Sequence, residues 1–172
     1  MATLVGQFFL TVIPCLIVGA IAYYFFKNYL KDAEQRRWLS LQKETKKEMI
    51  PYRIQALERL ALFMERIDPR QLLIRIKPTE ENKTTYAAAL IEVIEQEYQH
   101  NVTQQIYVSD ECWKAIKTSK NITINMIRNL SVDQGLKTAD QLRKKMLIMM
   151  EEQEPPSSVG LQFIKREAAQ MW

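Results

Sequence analysis

The sequence predicts an all-α protein: an N-terminal transmembrane helix, then an irregular cytoplasmic bundle of about five helices. Three observations predict it. Leu4 to Phe26 is a run without a charged side chain. Glycine is scarce, with four residues, and Gly6 and Gly19 lie inside that run, so few tight hairpins are available to a β-rich fold. The rest of the chain carries apolar residues at helical spacing, punctuated by prolines and capping residues. The parts are an anchor at 1–26, a charged juxtamembrane helical stalk at 27–50 and a soluble helical domain at 51–172.

The first run, LVGQFFLTVIPCLIVGAIAYYFF, is long enough to cross a hydrocarbon core of roughly 30 Å at about 1.5 Å per residue. Gln7 and Thr11 are its notably polar members, and Pro14 is a point for a kink. Tyr23 and Tyr24 stand where amphipathic rings favour the interface. A cleaved signal peptide would want a basic leader, and Met1 to Thr3 carry none, although Ala20 and Ala22 form a small-x-small pair. Ile13-Pro14 before Cys15 fits a lipoprotein signal badly. A buried helix is rarely apolar all round for this length.

Direction comes from charge. Nothing basic precedes the run, whereas Lys27, Lys31, Arg36 and Arg37 follow it, so the C-terminal domain is expected in the cytoplasm, with the N-terminus outside. Lys27 to Arg53 holds eight basic and four acidic residues, while the chain from Ile54 onward holds sixteen of each. The net charge of +4 therefore lies beside the anchor. Lys27, Lys31, Arg36 and Arg37 are candidates for touching anionic lipid head groups, besides serving as the topology signal. Trp38 suits either an interfacial anchor or a packing role. In a cytoplasmic domain the sequons headed by Asn82, Asn101, Asn121 and Asn129 have no meaning.

Ile50, Ile54, Leu57, Ala61 and Met64 form an a/d seam of about two heptads, short for a coiled coil and better suited to a bundle core. Asp68-Pro69 ends this helix and opens RQLLIRI, a short helix or alternatively a strand. After Lys77-Pro78-Thr79, a long helix is expected from Thr84 or Thr85 to about Ile106, with an inner stripe of Ala88, Ile91, Ile94 or Glu95, Tyr98 and Val102. Ser109 caps the next helix, which buries Trp113, Ile116, Ile124, Ile127 and Leu130 and is weakened by the β-branched Ile122-Thr123-Ile124. Asp133 to Gly135 is a turn, and Thr138 with Gln141 resembles a capping box. That helix carries Leu142, Met146, Leu147 and Met149. A last helix after Pro155-Pro156-Ser157-Ser158 carries Leu161, Phe163, Ile164, Ala168 and Trp172.

Chemistry is harder to find. There is no phosphate-cradling glycine loop, no G-x-S-x-G and no H-E-x-x-H, because His100 is the sole histidine. Cys15 and Cys112 sit in unlike contexts and promise no disulfide, and with one histidine they cannot complete a four-ligand zinc site. No cofactor is implied. Glu97 and His100 form Glu-x-x-His, a di-iron spacing, but the chain supplies only one such motif, so a metal site would have to form between subunits. The run YQHNVTQQIY crowds uncharged polar groups together. His100, Asn101, Gln104 and Gln105 are therefore candidates for an internal polar network or for contact with a partner protein. Arg143-Lys144-Lys145 on a charge-balanced domain points to a solvated face, and no nucleic acid is expected. Cys15 and Gly19 have the spacing of a weak helix-pairing face in a membrane.

The stretches PYRIQALERLALFMERIDPRQLLIRI and EYQHNVTQQIYVS, the closing FIKREAAQMW and the anchor resemble an uncharacterised family of small single-pass membrane-anchored helical proteins from Bacteroidota. The resemblance spans nearly the whole chain. It implies a bacterial inner-membrane setting and no assigned activity. The expectation is a non-enzymatic, membrane-tethered scaffold or adaptor working through a protein partner or self-association. The alternatives are a metal or enzymatic bundle with an intersubunit site, or a binder of anionic lipid surfaces.

Overall fold

The computed structural model describes residues 16–19, 21, 23–27, 38 and 47–171. Contacts divide the chain into two units, Met1–Met49 and Ile50–Trp172. In the first unit every described residue is helical. Among the described residues no helix is long and apolar enough to cross a membrane. Most of the run expected to do so, including Pro14 and Cys15, lies outside the described residues, as do Lys31, Arg36 and Arg37 of the stalk. What is described of the run is short: residues 16–19, 21 and 23–26. Those side chains are exposed, from Ile17 at 54% to Phe25 at 73%.

The second unit is all-helical. Among its described residues there are six α-helices, a 3-10 turn and no strand, where the sequence predicted about five helices. Residues 50–66 form α1. It buries Leu57, Leu60, Phe63 and Met64 as a broad apolar face wider than the predicted seam; Ala61 and Ile54 are only partly covered. A face that wide suits burial in a bundle rather than the narrow contact of a coiled coil.

α2 is Pro69–Arg75. The strand alternative for RQLLIRI fails on local grounds. The Asp68 side chain accepts from the Arg70 N–H, and Pro69 occupies the first turn, where its missing N–H costs nothing. α3, Lys83–Asn101, opens one residue earlier than expected because Asn82 caps it, accepting from the N–H groups of Thr84 and Thr85. It also ends earlier: Val102–Tyr107 is a 3-10 turn, not the continuation to Ile106. Its buried stripe is Tyr86, Ala87, Leu90 and Ile94, so Ala88 is exposed and the predicted stripe was rotated by about one position.

α4, Asp110–Val132, is the longest helix of this unit. Ser109 caps it by accepting from the Cys112 N–H, and Asp110 and Glu111 complement the macrodipole. Its predicted face, Trp113, Ile116, Ile124, Ile127 and Leu130, is buried, and α4 packs against α3 and α6. Within the β-branched cluster the helix runs on unbroken; Thr123 is buried and returns its hydroxyl hydrogen to the Ser119 carbonyl.

The Asp133 carboxylate accepts from the Gly135 N–H to close the next turn. α5, Ala139–Glu152, starts with Thr138 accepting from the Gln141 N–H, while the Gln141 side chain accepts from the Lys137 N–H, a capping box displaced by one residue. An isolated bridge joins Asn82 to Thr138, so the starts of α3 and α5 lie side by side. α6, Ser157–Ala169, buries Ser157, Gly160, Ile164 and Glu167. Trp172 lies outside the described residues. Gly160 sits where α6 meets α1 and α4: its N–H donates to the Ser119 hydroxyl at 3.1 Å, and Met64 covers the place where a Cβ would stand.

Candidate functional site

The predicted polar segment straddles the end of α3 and the 3-10 turn. Its residues divide into those turned inward and those left on the surface. The Tyr98 ring is partly buried against the core, stacked on Trp113 with centroids 5.7 Å apart and tilted against Phe63 at 6.1 Å. Asn101 donates through its side-chain amide to the Glu97 carbonyl at 2.8 Å, and Gln104 is buried. His100 and Gln105 are exposed. Asn101 and Gln104 bond only within the segment, Asn101 to the Glu97 carbonyl and Gln104 to the adjacent Thr103 hydroxyl, while His100 and Gln105 stand at the surface.

Glu97 and His100 do not form a paired ligand set. The Glu97 carboxylate faces Arg66 at 2.8 Å and Arg75 at 3.5 Å, tying α3 to α1 and α2. Both guanidiniums face the same oxygen, Oε1, and the carboxylate sits in a positive field that repels a cation. Among the described residues no group of three or more His, Cys, Asp or Glu side chains is gathered as a metal site would need. Of the lipid-surface candidates, only Lys27 is described; its ammonium lies 5.9 Å from the Tyr23 ring centroid. Trp38 is exposed. In the basic triplet Lys144 and Lys145 are exposed, but Arg143 donates to the Leu73 carbonyl at 3.3 Å and serves the packing of α5 on α2.

The most developed polar cluster is centred on Glu167, which sequence reading did not single out. Its carboxylate is buried at 7% exposure and accepts three hydrogen bonds: from Arg53 at 3.0 Å, from the Ser109 N–H at 2.7 Å and from the Ser109 hydroxyl at 2.7 Å. Arg53 also donates to the Tyr107 carbonyl at 3.0 Å. The Arg53–Glu167 pair thus joins α1, the end of the 3-10 turn, the start of α4 and the last turn of α6. Cys112 lies against it, and burial first, then the Glu167 charge and hydrogen bond, push its thiol up to about 12. Such a thiol is protonated at neutral pH and is a poor nucleophile.

Two further charged groups are buried, Lys120 inside α4 and Asp68 between α1 and α2. The Lys120 ammonium, on a mostly buried side chain, is held by both Glu95 oxygens at 2.9 and 2.8 Å and lies 4.4 Å from the Tyr98 ring centroid. Asp68, besides capping α2, pairs with Arg70 and accepts from the buried Ser157 hydroxyl at 3.1 Å. Among the described residues no buried side-chain polar atom lacks a hydrogen-bond partner. The carboxylates and ammonium group of these clusters are occupied by one another, which is the chemistry of a structural clamp rather than of a vacant reaction centre.

These features define an all-helical bundle whose buried charges brace its helices. The chain belongs to a family described as "Family of unknown function (DUF7935)", whose model matches residues 3–171. No curated protein and no solved structure is significantly similar to it.

Proposed function

We propose that the protein is a membrane-tethered helical scaffold. Residues 4–26 anchor it, and the bundle from residue 50 onward binds a protein partner or a second copy at the cytoplasmic face. The observation that carries this reading is the described part of the apolar run. Leu16, Ile17, Val18, Ile21 and Phe25 are helical and exposed. Leaving side chains of this size in water costs roughly 25 cal/mol per Å² of apolar surface, and a bilayer removes that cost. The basic excess directly after the run supports the orientation. A bacterial inner membrane is the setting implied by the resemblance noted above. The partner-binding role draws support from the clamp character of the buried polar clusters: they stabilise a rigid body, and a rigid body presents surfaces.

The test has two arms. Carbonate extraction of membranes should leave the full-length protein in the pellet; release into the supernatant overturns the anchor. A C-terminal tag should resist external protease in intact spheroplasts; digestion there overturns the orientation. Affinity capture from solubilised membranes then reads the scaffold role: recovery of a stoichiometric partner or of an untagged copy supports it, and recovery of neither overturns it.

A further inference from the structure

The solvent side of α4 is poor in charge over its C-terminal two thirds. Over residues 118–132 the only charged side chains are Lys120, which is turned into the core, and Arg128. At 100° per residue, Thr118, Asn121, Ile122, Asn125, Asn129 and Val132 fall on the side opposite the buried stripe. All six are exposed, Ile122 at 50% and Val132 at 75%. The exposed sides of α5 and α6 are more highly charged, with Lys144, Lys145 and Glu151 on α5 and Lys165 and Arg166 on α6, whereas that of α3 is also poor in charge. A shallow groove of about 290 Å³ borders the stripe, where Ile122, Met126, Leu130 and Met149 meet Asn125 and Asn129.

We propose that this face of α4, from Thr118 to Val132, is the surface through which two copies of the chain pair. The inference rests on the reading of the protein as one that acts through protein contact, and it names the contact. Charge depletion at the centre of a patch is the compositional mark of an interface core. Two features of the face bear on its pairing with a second copy. The first, which selects that occupant, is its chemistry. A two-fold interface sets a patch against itself, so a charged patch meets like charge, while a neutral one meets no penalty. Asn121, Asn125 and Asn129 recur every four residues, and each carboxamide both donates and accepts. Such a row satisfies its own copy across a two-fold axis, with Ile122 and Val132 supplying apolar contact.

The second feature is size. Fourteen residue steps of helix give a seam of about 21 Å. One helix crossing another over that length covers much less than the roughly 800 Å² per partner of a standard stable interface. The pairing is therefore weak between free chains. Confinement of two tethered copies to one membrane raises their effective concentration enough to sustain it.

Disulfide scanning of the full-length protein in native membranes tests this, with Cys15→Ser as the background and the buried Cys112 left in place. Asn121→Cys, Asn125→Cys and Asn129→Cys are compared under mild oxidation with Gln162→Cys on the exposed side of α6. A covalent dimer from at least one α4 variant, at a yield ten-fold or more above the α6 control, is expected. Adding Ile122→Arg to the variant that links best should abolish it by setting like charges against each other. Equal yields from α4 and α6, or linkage to a different protein, overturn the inference. If cross-linking fails while affinity capture still recovers a partner, this face is wrong and the scaffold reading stands.

Discussion

Ser109 donates two hydrogen bonds of 2.7 Å to the carboxylate of Glu167, 58 residues away in the chain, so the last turn of α6 completes the N-terminal cap of α4. Ser109 spends its hydroxyl oxygen on the Cys112 N–H and its hydroxyl hydrogen on Glu167. The cap is thereby held in one rotamer, and a carboxylate stands at the positive end of the longest helix of the bundle.

Replacing Glu167 should be among the costly single changes in the bundle. Glu167→Ala leaves the Ser109 donors and Arg53 without their acceptor. A loss of about 2–3 kcal/mol is expected, tempered because Arg53 is 39% exposed and can be rehydrated. Glu167→Gln keeps an acceptor but not the charge, and should cost about half as much. Denaturant unfolding of the two variants beside the parent protein reads both values; equal stability of all three contradicts the clamp.

Gly160→Ala should be destabilising even though alanine is the better helix former. The new methyl group would press on the buried Met64 sulfur and lie 3.1 Å from the Ser119 hydroxyl, whose bond to the Gly160 N–H fixes the spacing of α4 and α6. Overpacking of this kind costs about 1–3 kcal/mol. Ser119→Ala in the same background should relieve part of it, and a thermal melt of the single and double variants measures the coupling.

Cys112 makes the fold sensitive to alkali. Its thiol is held protonated up to about 12 in the folded chain, whereas an unfolded cysteine ionises from its ordinary value of 9.0. The folded pKa is the raised one, so the contribution is fully present below pH 9 and fades above it. Between those limits the unfolded state binds fewer protons, and stability should fall by about 1.4 kcal/mol per pH unit. Tyr86 and Tyr98, both raised by burial, add to the slope at the upper end. Cys112→Ala should flatten the early part of the decline. Site-resolved alkylation should find Cys112 protected at neutral pH until the bundle is unfolded.

Asp68→Asn offers a gentler comparison. Asparagine still caps α2, but the ion pair with Arg70 is lost and the bond from Ser157 is weakened. A cost of about 0.5–1 kcal/mol is expected, against about 2 kcal/mol for Asp68→Ala, which also removes the cap. Chemical denaturation distinguishes the two.

What the sequence disclosed was what neighbouring residues decide. Asp68-Pro69, Ser109 and Thr138 act within three positions of themselves, and each marks a helix start where it was expected. The apolar face of α4 was legible because its core residues are bulky and its solvent side is polar. α3 was not, since Ala87, Ala88 and Ala89 are equally good on either side and Glu95 stands beside Ile94. Nothing in Val102–Tyr107 announces a change to 3-10 geometry, and the bond that its last carbonyl accepts comes from Arg53, 54 residues away. Lys120 and Glu167 did carry a signal, charge at an apolar-stripe position, but their partners lie 25 and 58 residues away and periodicity is silent about distance along the chain. The Glu-x-x-His spacing was legible, but the Arg66 and Arg75 partners of Glu97 were not, because they come from other helices.

Arg53 stands three residues inside the point where the chain enters the bundle, and its guanidinium is fastened to the final helix rather than to a neighbour in sequence. A pull on the backbone at residue 50 therefore meets the Arg53–Glu167 pair before it reaches the apolar core. The load passes sideways into α6 and, through Ser109, along the axis of α4. The bundle is strapped at its entry point by its own last helix, as a load-carrying joint is, and peeling α1 away requires the strap to part first.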